Sequence, residues 1–238
     1  MLSLDIENER NDKLNVIEIG KSSLVQDRFP DVRVFGVRLF IDKIKNKSWN
    51  EILKTIHEKW RGKSRSDVLN GGEQKYYADF MRSLGVDIKK QPPSVANLII
   101  RCLIKNDIRF PNIHPVVDAV NISAVQTEIS LGVFDAECVE GNLQLSFSKG
   151  GEKFLGLGAD NSIELEAGIL ILRDTSKVLS LFSVRDSQSQ AIRTSTRSVW
   201  LLACQVPGIT QTAVFSAIEQ AVKNLESIGV QYEQSTAN

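Results

Sequence analysis

Histidine is nearly absent from this chain: its 238 residues contain two, His57 and His114. Neither lies in an HxxxH spacing or beside a cysteine pair, so no zinc site is expected and the metal-ligand set is read as none. Cysteine is scarce as well. Cys102, Cys138 and Cys204 are odd in number, far apart and outside any CxxC spacing, which excludes a disulfide framework and fits a reducing compartment. Long apolar runs are missing; stretches such as AGILIL (167–172) fall far short of the ~20 residues a membrane helix needs. The opening MLSLDIENER has no basic region ahead of an apolar core, so no secretory leader is expected and the location is read as cytoplasmic. Net charge is absent too, with 29 Lys+Arg against 29 Asp+Glu. That balance argues against attachment to nucleic acid by bulk charge and leaves room only for a local basic patch. No Walker loop, GxSxG elbow or Cys–His pairing occurs, so neither phosphate-loop nor standard nucleophilic chemistry is supported, and no cofactor is expected.

What is present is an ordinary globular composition, 42% hydrophobic and 24% charged, in a chain long enough to bury a core. LNVIEIG (14–20) and VRVFGVRLF (32–40) are rich in β-branched residues and read as strands. SWNEILKTIHEKW (48–60) reads as a helix capped by Ser48, with His57 on its surface, and KSRSDVLNGG (63–72) as a loop. EQKYYADFMRSLG (73–85) is a helix stopped by Gly85, a third helix opens at Ser94, and a fourth starts within 111–125. From about residue 130, LQLSFS, KFLGL, SIELE, AGILILRD, VLSLFSVRD and SVWLLACQV form short strand-like runs. A last helix carries the apolar stripe Val214, Ile218, Ala221, Val222, Leu225 and Ile228, and QYEQSTAN (231–238) is expected to fray. Helices early, strands late and a closing helix predict an α+β fold, a helical N-terminal part packed on a mostly antiparallel, partly barrel-like sheet. The expected organisation is a single domain over 1–238. It comprises a helical lead-in with two strands (1–110), a motif-bearing core (111–205), a C-terminal helix (206–230) and a tail (231–238).

Three segments carry candidate chemistry. GLGADN (156–161) holds Gly-x-Gly but lacks the third glycine and the following helix of a dinucleotide site, so a β-turn is its reading. In PNIHPVVDAVNISAV (111–125), Ile113, Val116, Val117, Val120 and Ala124 share one arc of a helix, and His114, Asp118 and Asn121 share the other. Periodicity leaves open whether that polar arc is wet or faces a partner; Asp and Asn are poor helix-interior residues, which suggests fixed hydrogen bonds. SVRDSQSQAIRTSTRSVW (183–200) is a polar loop whose Arg185, Arg193 and Arg197 could meet phosphate or whose Asp and Ser could simply cap it. The basic stretch KSWNEILKTIHEKWRGKSR (47–65) could touch RNA or form a solvated helix face, and the solvated face is its reading.

Five of these blocks, in order, resemble the B3/B4 editing domain of the phenylalanyl-tRNA synthetase beta subunit, and more closely the free-standing proteins built on that domain alone. They are NIHPVVDAVNIS (112–123), LGVFD (131–135) followed by Gly141, GGEKFLGLG (150–158), GILILRD (168–174) and RDSQSQAIRTSTRSV (185–199). The match spans roughly residues 30–205. It implies an α+β domain with a pocket between sheet and helices, and hydrolysis of the ester of mischarged tRNA without a strong nucleophile. Residue by residue, the family's Asn falls on Asn121 and its Thr on Thr196, whereas its editing His falls on Gly132 and its acidic residue on Gln188. The synthetase's preference for tRNA mischarged with tyrosine therefore does not carry over, although free-standing relatives also tend to have Gly in place of that His. The resemblance makes Asn121 and Thr196 pocket hydrogen-bonders, has Asp118 orient the helix or loop, and puts Arg185, Asp186 and Gln188 at the rim. The leading expectation is a free-standing domain that binds aminoacyl-tRNA, or a similar aminoacyl ester, and hydrolyses it in trans. The alternatives are a non-catalytic RNA- or amino-acid-binding module and a metabolic hydrolase or binder that has left tRNA. The expected partner is tRNA, with no DNA and no membrane; the oligomeric state, the amino acid and the catalytic residues stay open.

Overall fold

Apolar residues, β-branched and aromatic among them, build the longest strand, which lies inside its sheet. The computed structural model describes residues 14–232; the opening MLSLDIENER and residues 233–238 of the tail lie outside the described residues. The lead-in contains strands β1 (Ile17–Glu18) and β2 (Gly20–Lys21), helix α1 (Ser23–Arg28), strand β3 (Arg33–Ile41) and helices α2 (Asn50–Trp60), α3 (Arg65–Asn70), α4 (Gln74–Ser83) and α5 (Ser94–Cys102). Next come α6 (Pro115–Thr127), β4 (Leu131–Asp135), β5 (Gln144–Lys149), β6 (Lys153–Phe154), β7 (Ile163–Glu164), β8 (Ala167–Arg173), β9 (Val178–Leu181) and β10 (Arg185–Asp186). The chain continues through β11 (Ser198–Gln205), α7 (Gln211–Glu226) and β12 (Val230–Tyr232).

One sheet runs β1-β3-β11-β4 with β12 also paired to β3, all antiparallel; Trp200 of β11 sits between Arg38 and Phe134. A second runs β10-β9-β8-β5-β2, antiparallel except for the β2–β5 pair, and β6–β7 form a separate ribbon. The α+β expectation holds. The partly barrel-like sheet does not: among the described residues both large sheets stay open, with free edges at β4 and β10.

A single main core joins the two sheets and the helices, from Val34 and Leu202 of the first sheet to Leu145 and Leu172 of the second. The predicted stripe of α7 is buried at every position, Val214 through Ile228. Full burial of each such side chain stabilises by roughly 1.5–3 kcal/mol. Helix α6 differs from its reading. It is no half-exposed amphipath; Val116, Ala119, Val120, Ile122, Ser123, Ala124 and Val125 are all buried, because α7 packs along one side and β4 and α5 along others. Ile113, placed on its apolar arc, precedes the helix and is exposed. The one polar crossing between α6 and α7 is satisfied: Asn224 Nδ2 donates to Ser123 Oγ at 2.8 Å and to Gln126 Oε1 at 3.0 Å.

Three further readings are corrected. The expected loop 63–72 contains α3, opened by a reciprocal capping box in which Ser64 and Asp67 satisfy each other's backbone N–H groups. His57 is buried rather than superficial, its Nε2 lying 2.6 Å from the Lys105 carbonyl. Residues 231 and 232, read as frayed tail, pair with Phe40 and Leu39 on the edge of β3. That edge offered unpaired backbone groups, and the chain's own end takes them.

Candidate functional site

Helices α5 and α6 supply one wall of a cavity of about 350 Å³. α5 begins after Pro93, whose fixed φ suits a helix entrance, and the Ser94 amide donates to the Ser183 carbonyl at 3.0 Å, tying α5 to the turn between β9 and β10. At the start of α6, His114 Nδ1 accepts from the Val116 amide, Pro115 fills the first turn, and Asp118 Oδ1 accepts from the Ile113 amide at 2.9 Å. Of the three polar residues on that helix arc, two are therefore consumed in holding the entry. The third, Asn121, lines the cavity, and no described residue takes up its carboxamide.

Asn97 and Arg101 of α5, Asn121 of α6, Gly132 and Phe134 of β4, and Arg185 and Asp186 of β10 complete the polar and apolar walls with Leu172 and Leu202. Ser94, Ser130, Ser180 and Ser183 add hydroxyls, three of which form a chain: Ser94 Oγ and Ser183 Oγ each lie 3.3 Å from Ser130 Oγ. Ser183 holds φ +55°, a left-handed conformation that a non-glycine residue adopts at a cost of order 1 kcal/mol. The floor is stapled by Tyr77, whose buried hydroxyl donates to the Cys204 carbonyl at 2.5 Å and accepts from the Ser130 amide at 3.1 Å. Tyr77→Phe would leave both backbone groups unpaired, at about 2–3 kcal/mol together. The expected result is a lower urea midpoint with an unchanged slope.

The electrostatics of the cavity centre on one group. Among the described residues, Asp186 supplies the lining's only carboxyl. Burial raises it to about 6, opposed by the Ser180 hydroxyl, and no described cation pairs with it. Although the residue as a whole keeps some exposure, its carboxylate points inward, with Oδ2 3.9 Å from where a Cβ on Gly132 would stand. Cys204 also lines the cavity, but burial, and then the Asp186 charge, push its thiol to about 12, so it holds no thiolate for nucleophilic attack. Arg185 crosses Gly156 so closely that a Cβ there would lie 2.4 Å from its Cδ. Gly156 and Ser187 form an isolated bridge, and the Leu157 amide donates to the Asp186 carbonyl at 2.8 Å. The Gly-x-Gly segment is thus a turn laid against β10, in agreement with its sequence reading.

Of the sequence-predicted residues, Asn121, Gly132, Arg185 and Asp186 come together around the cavity. Asp118, Gln188 and Thr196 are not among its lining residues. Gln188 is exposed and opens a short 3₁₀ turn, because its backbone N–H is drawn to the Leu155 carbonyl. Thr196 is buried, donating from Oγ1 to Asp135 Oδ2 at 2.6 Å and accepting from the Arg193 amide. It closes the polar loop onto β4. Asp118→Ala is accordingly expected to lower stability by about 1 kcal/mol through loss of its capping bond, with ligand affinity unchanged when measured on the folded fraction. Sequence reasoning missed Ser94, Asn97 and Arg101. Their spacing of three and four residues along α5 was a readable signal, the same one that singled out Asn121.

The family model of the B3/4 domain matches residues 76–235. The chain is 28% identical over 151 residues to the phenylalanine–tRNA ligase beta subunit of Aquifex aeolicus, covering 63% of this chain and 17% of that one. It is 26% identical over 154 residues to the same subunit of Idiomarina loihiensis, covering 64% and 18%. The chain thus spans less than a fifth of the length of these curated relatives. Among solved structures, an N-terminal fragment of the phenylalanyl-tRNA synthetase beta subunit from Pyrococcus horikoshii aligns with a TM-score of 0.45 and 13% identity, over 90% of this chain and 49% of that one. The family match takes in every lining residue of the cavity except Val34 of β3, and it extends over more than half of the sequence. The chain belongs to the B3/4 domain family.

Proposed function

We propose that the cavity receives the aminoacyl end of aminoacyl-tRNA, or of a similar aminoacyl ester, and hydrolyses that ester in trans. The observation that carries this reading is the pairing of Asn121 and Asp186: two polar side chains from different elements, without strong protein partners, lining one cavity. Membership of a family whose relatives include tRNA ligase subunits supports a tRNA-related role. A volume of about 350 Å³ lies at the small end of the ~300–1,000 Å³ common for ligand pockets. It suits an amino-acid side chain and ester, with the attached nucleoside left at the mouth beside Arg101 and Arg185.

The chemistry asked of the residues is modest, because an aminoacyl ester is already activated. Asp186 accepts a proton as water adds to the ester carbonyl. Asn121, with the serine hydroxyls, donates to the oxygen on which charge develops. The proton then passes to the departing ribose oxygen, releasing a free amino acid and an unesterified 3′ end. Gly132 keeps the wall beside Asp186 open.

A second reading, binding without hydrolysis, is favoured by one observation. Gln188, at the position of the family's acidic residue, is turned out to solvent. Titration with an amide-linked 3′-aminoacylamino-adenosine separates the readings when combined with ester turnover. Tight binding of the amide together with cleavage of the ester supports hydrolysis; binding with no cleavage of any ester selects the second reading.

A further inference from the structure

The end of α5 and the turn after α2 bring together five exposed cations, Arg61, Lys63, Arg101, Lys105 and Arg109. One main-chain and one side-chain hydrogen bond hold the two segments side by side, and a third bond folds the segment after α5 onto itself. The Gly62 amide donates to the Ile104 carbonyl at 3.0 Å, His57 Nε2 lies 2.6 Å from the Lys105 carbonyl, and the Arg109 amide donates to the Cys102 carbonyl at 3.2 Å. None of the five is in an ion pair with another described residue. The exposed acidic residues in these segments are Glu58 and Asp107, so positive charge is in clear surplus on a chain whose net charge is zero. Other lysines of α2 are already engaged: Lys54 pairs with Glu51 and Lys59 with Glu128. Arg101 also lines the cavity, so the strip starts at its mouth. Among the described residues, no large exposed apolar side chain lies on it. A protein partner would need such anchors for an interface core, whereas a phosphate backbone needs only the charges. Arg61 and Lys63 precede the residues matched by the B3/4 family model, so this surface is built partly by the lead-in.

We propose that this strip docks the phosphate backbone of an RNA whose aminoacylated 3′ end enters the cavity. The proposal rests on the aminoacyl-ester reading for its orientation, but its test is separate. Anisotropy of 5′-labelled uncharged tRNA is followed from about 50 to 200 mM salt with the full chain and with a Lys63→Glu/Lys105→Glu variant. Both substituted residues are exposed and outside the cavity lining. The variant is expected to bind at least about tenfold more weakly, and its salt dependence to be shallower by roughly 0.7–0.9 in log–log slope for each phosphate that the protein no longer neutralises. Its circular dichroism and melting should match the parent. Equal affinity and slope for the two proteins overturn the proposal. So does displacement of the tRNA by polyglutamate of matched charge as readily as by unlabelled tRNA, which would mark an acidic protein as the partner. A 3′-aminoacyl adenosine is too short to follow the strip and reports on the cavity alone. Its cleavage without tRNA binding would leave the cavity reading standing and remove the docking surface. Salt-dependent tRNA binding lost in the variant, with no cleavage of any ester, would do the reverse.

Discussion

Asn121→Ala is expected to slow hydrolysis of a cleavable aminoacyl ester by about a hundredfold or more while leaving the protein as stable as its parent. The magnitude is that of one donor to a developing oxyanion, about 10²–10³-fold in rate. The stability half of the statement follows from the surroundings. Asn121 makes no side-chain hydrogen bond within the described structure, so removing its carboxamide orphans nothing. Alanine is also the better helix former by a few tenths of a kcal/mol. The neighbouring Asp118→Ala supplies the contrast, since that carboxylate holds the Ile113 amide and does not reach the cavity. Rate constants and urea midpoints for both variants check the pair. Slow and stable is expected for the first, active and slightly destabilised for the second.

Asp186→Asn is the second large effect, and it should move activity and stability in opposite directions. The carboxyl lies at about 6 in the folded protein against an ordinary 3.8, because burial disfavours its charge. A raised folded pKa means that the group's contribution to stability is complete below about pH 4 and is lost as pH rises through 6. At neutral pH the buried carboxylate therefore weakens the fold by up to about 3 kcal/mol. Asparagine keeps the shape without the charge. The variant should melt higher than the parent above about pH 6 and show no such gain below about pH 4, while hydrolysis falls by about 10²–10⁴-fold as the proton acceptor is lost. In the parent, kcat/KM should decline as pH drops below about 6. Thermal melts at about pH 4 and about pH 7.5, with a pH–rate profile, make the check. A variant that is less stable at both pH values would mean that the carboxylate is paired, not stranded.

How much of this was legible in the sequence varies with the kind of signal. The β-branched run at 32–40 announced itself by composition and the apolar stripe of the last helix by period; both elements formed, the helix with its predicted stripe buried. Helix α3 went unread although Ser64 and Asp67 carry a capping signature, because six residues are too few for a period to show. The open character of the sheets could not be read, since strand order depends on long-range pairing such as β3 with β11, whose partners Arg38 and Trp200 lie far apart in the chain. At the site, helical spacing grouped His114, Asp118 and Asn121, but spacing assigns a direction, not a partner. Only the fold shows that two of them hold the helix entry and one meets the cavity. Asn121, Gly132, Arg185 and Asp186, which the resemblance singled out, lie around that cavity, whereas local hydrogen bonds hold Thr196 onto Asp135 and Gln188 opens a 3₁₀ turn away from the lining. The four serines were not read as cavity residues, Ser94 being taken only as a helix start, and only the proximity of Ser94, Ser130 and Ser183 gives them meaning.

The most direct test is release of amino acid from a panel of correctly charged and mischarged tRNAs, followed for the parent protein and for Asn121→Ala under identical conditions. At least one pair should be cleaved well above the uncatalysed rate by the parent, with about a hundredfold less cleavage by the variant. Cleavage of no pair above the uncatalysed rate, or equal cleavage by the two proteins, would contradict the assignment of ester hydrolysis to this cavity.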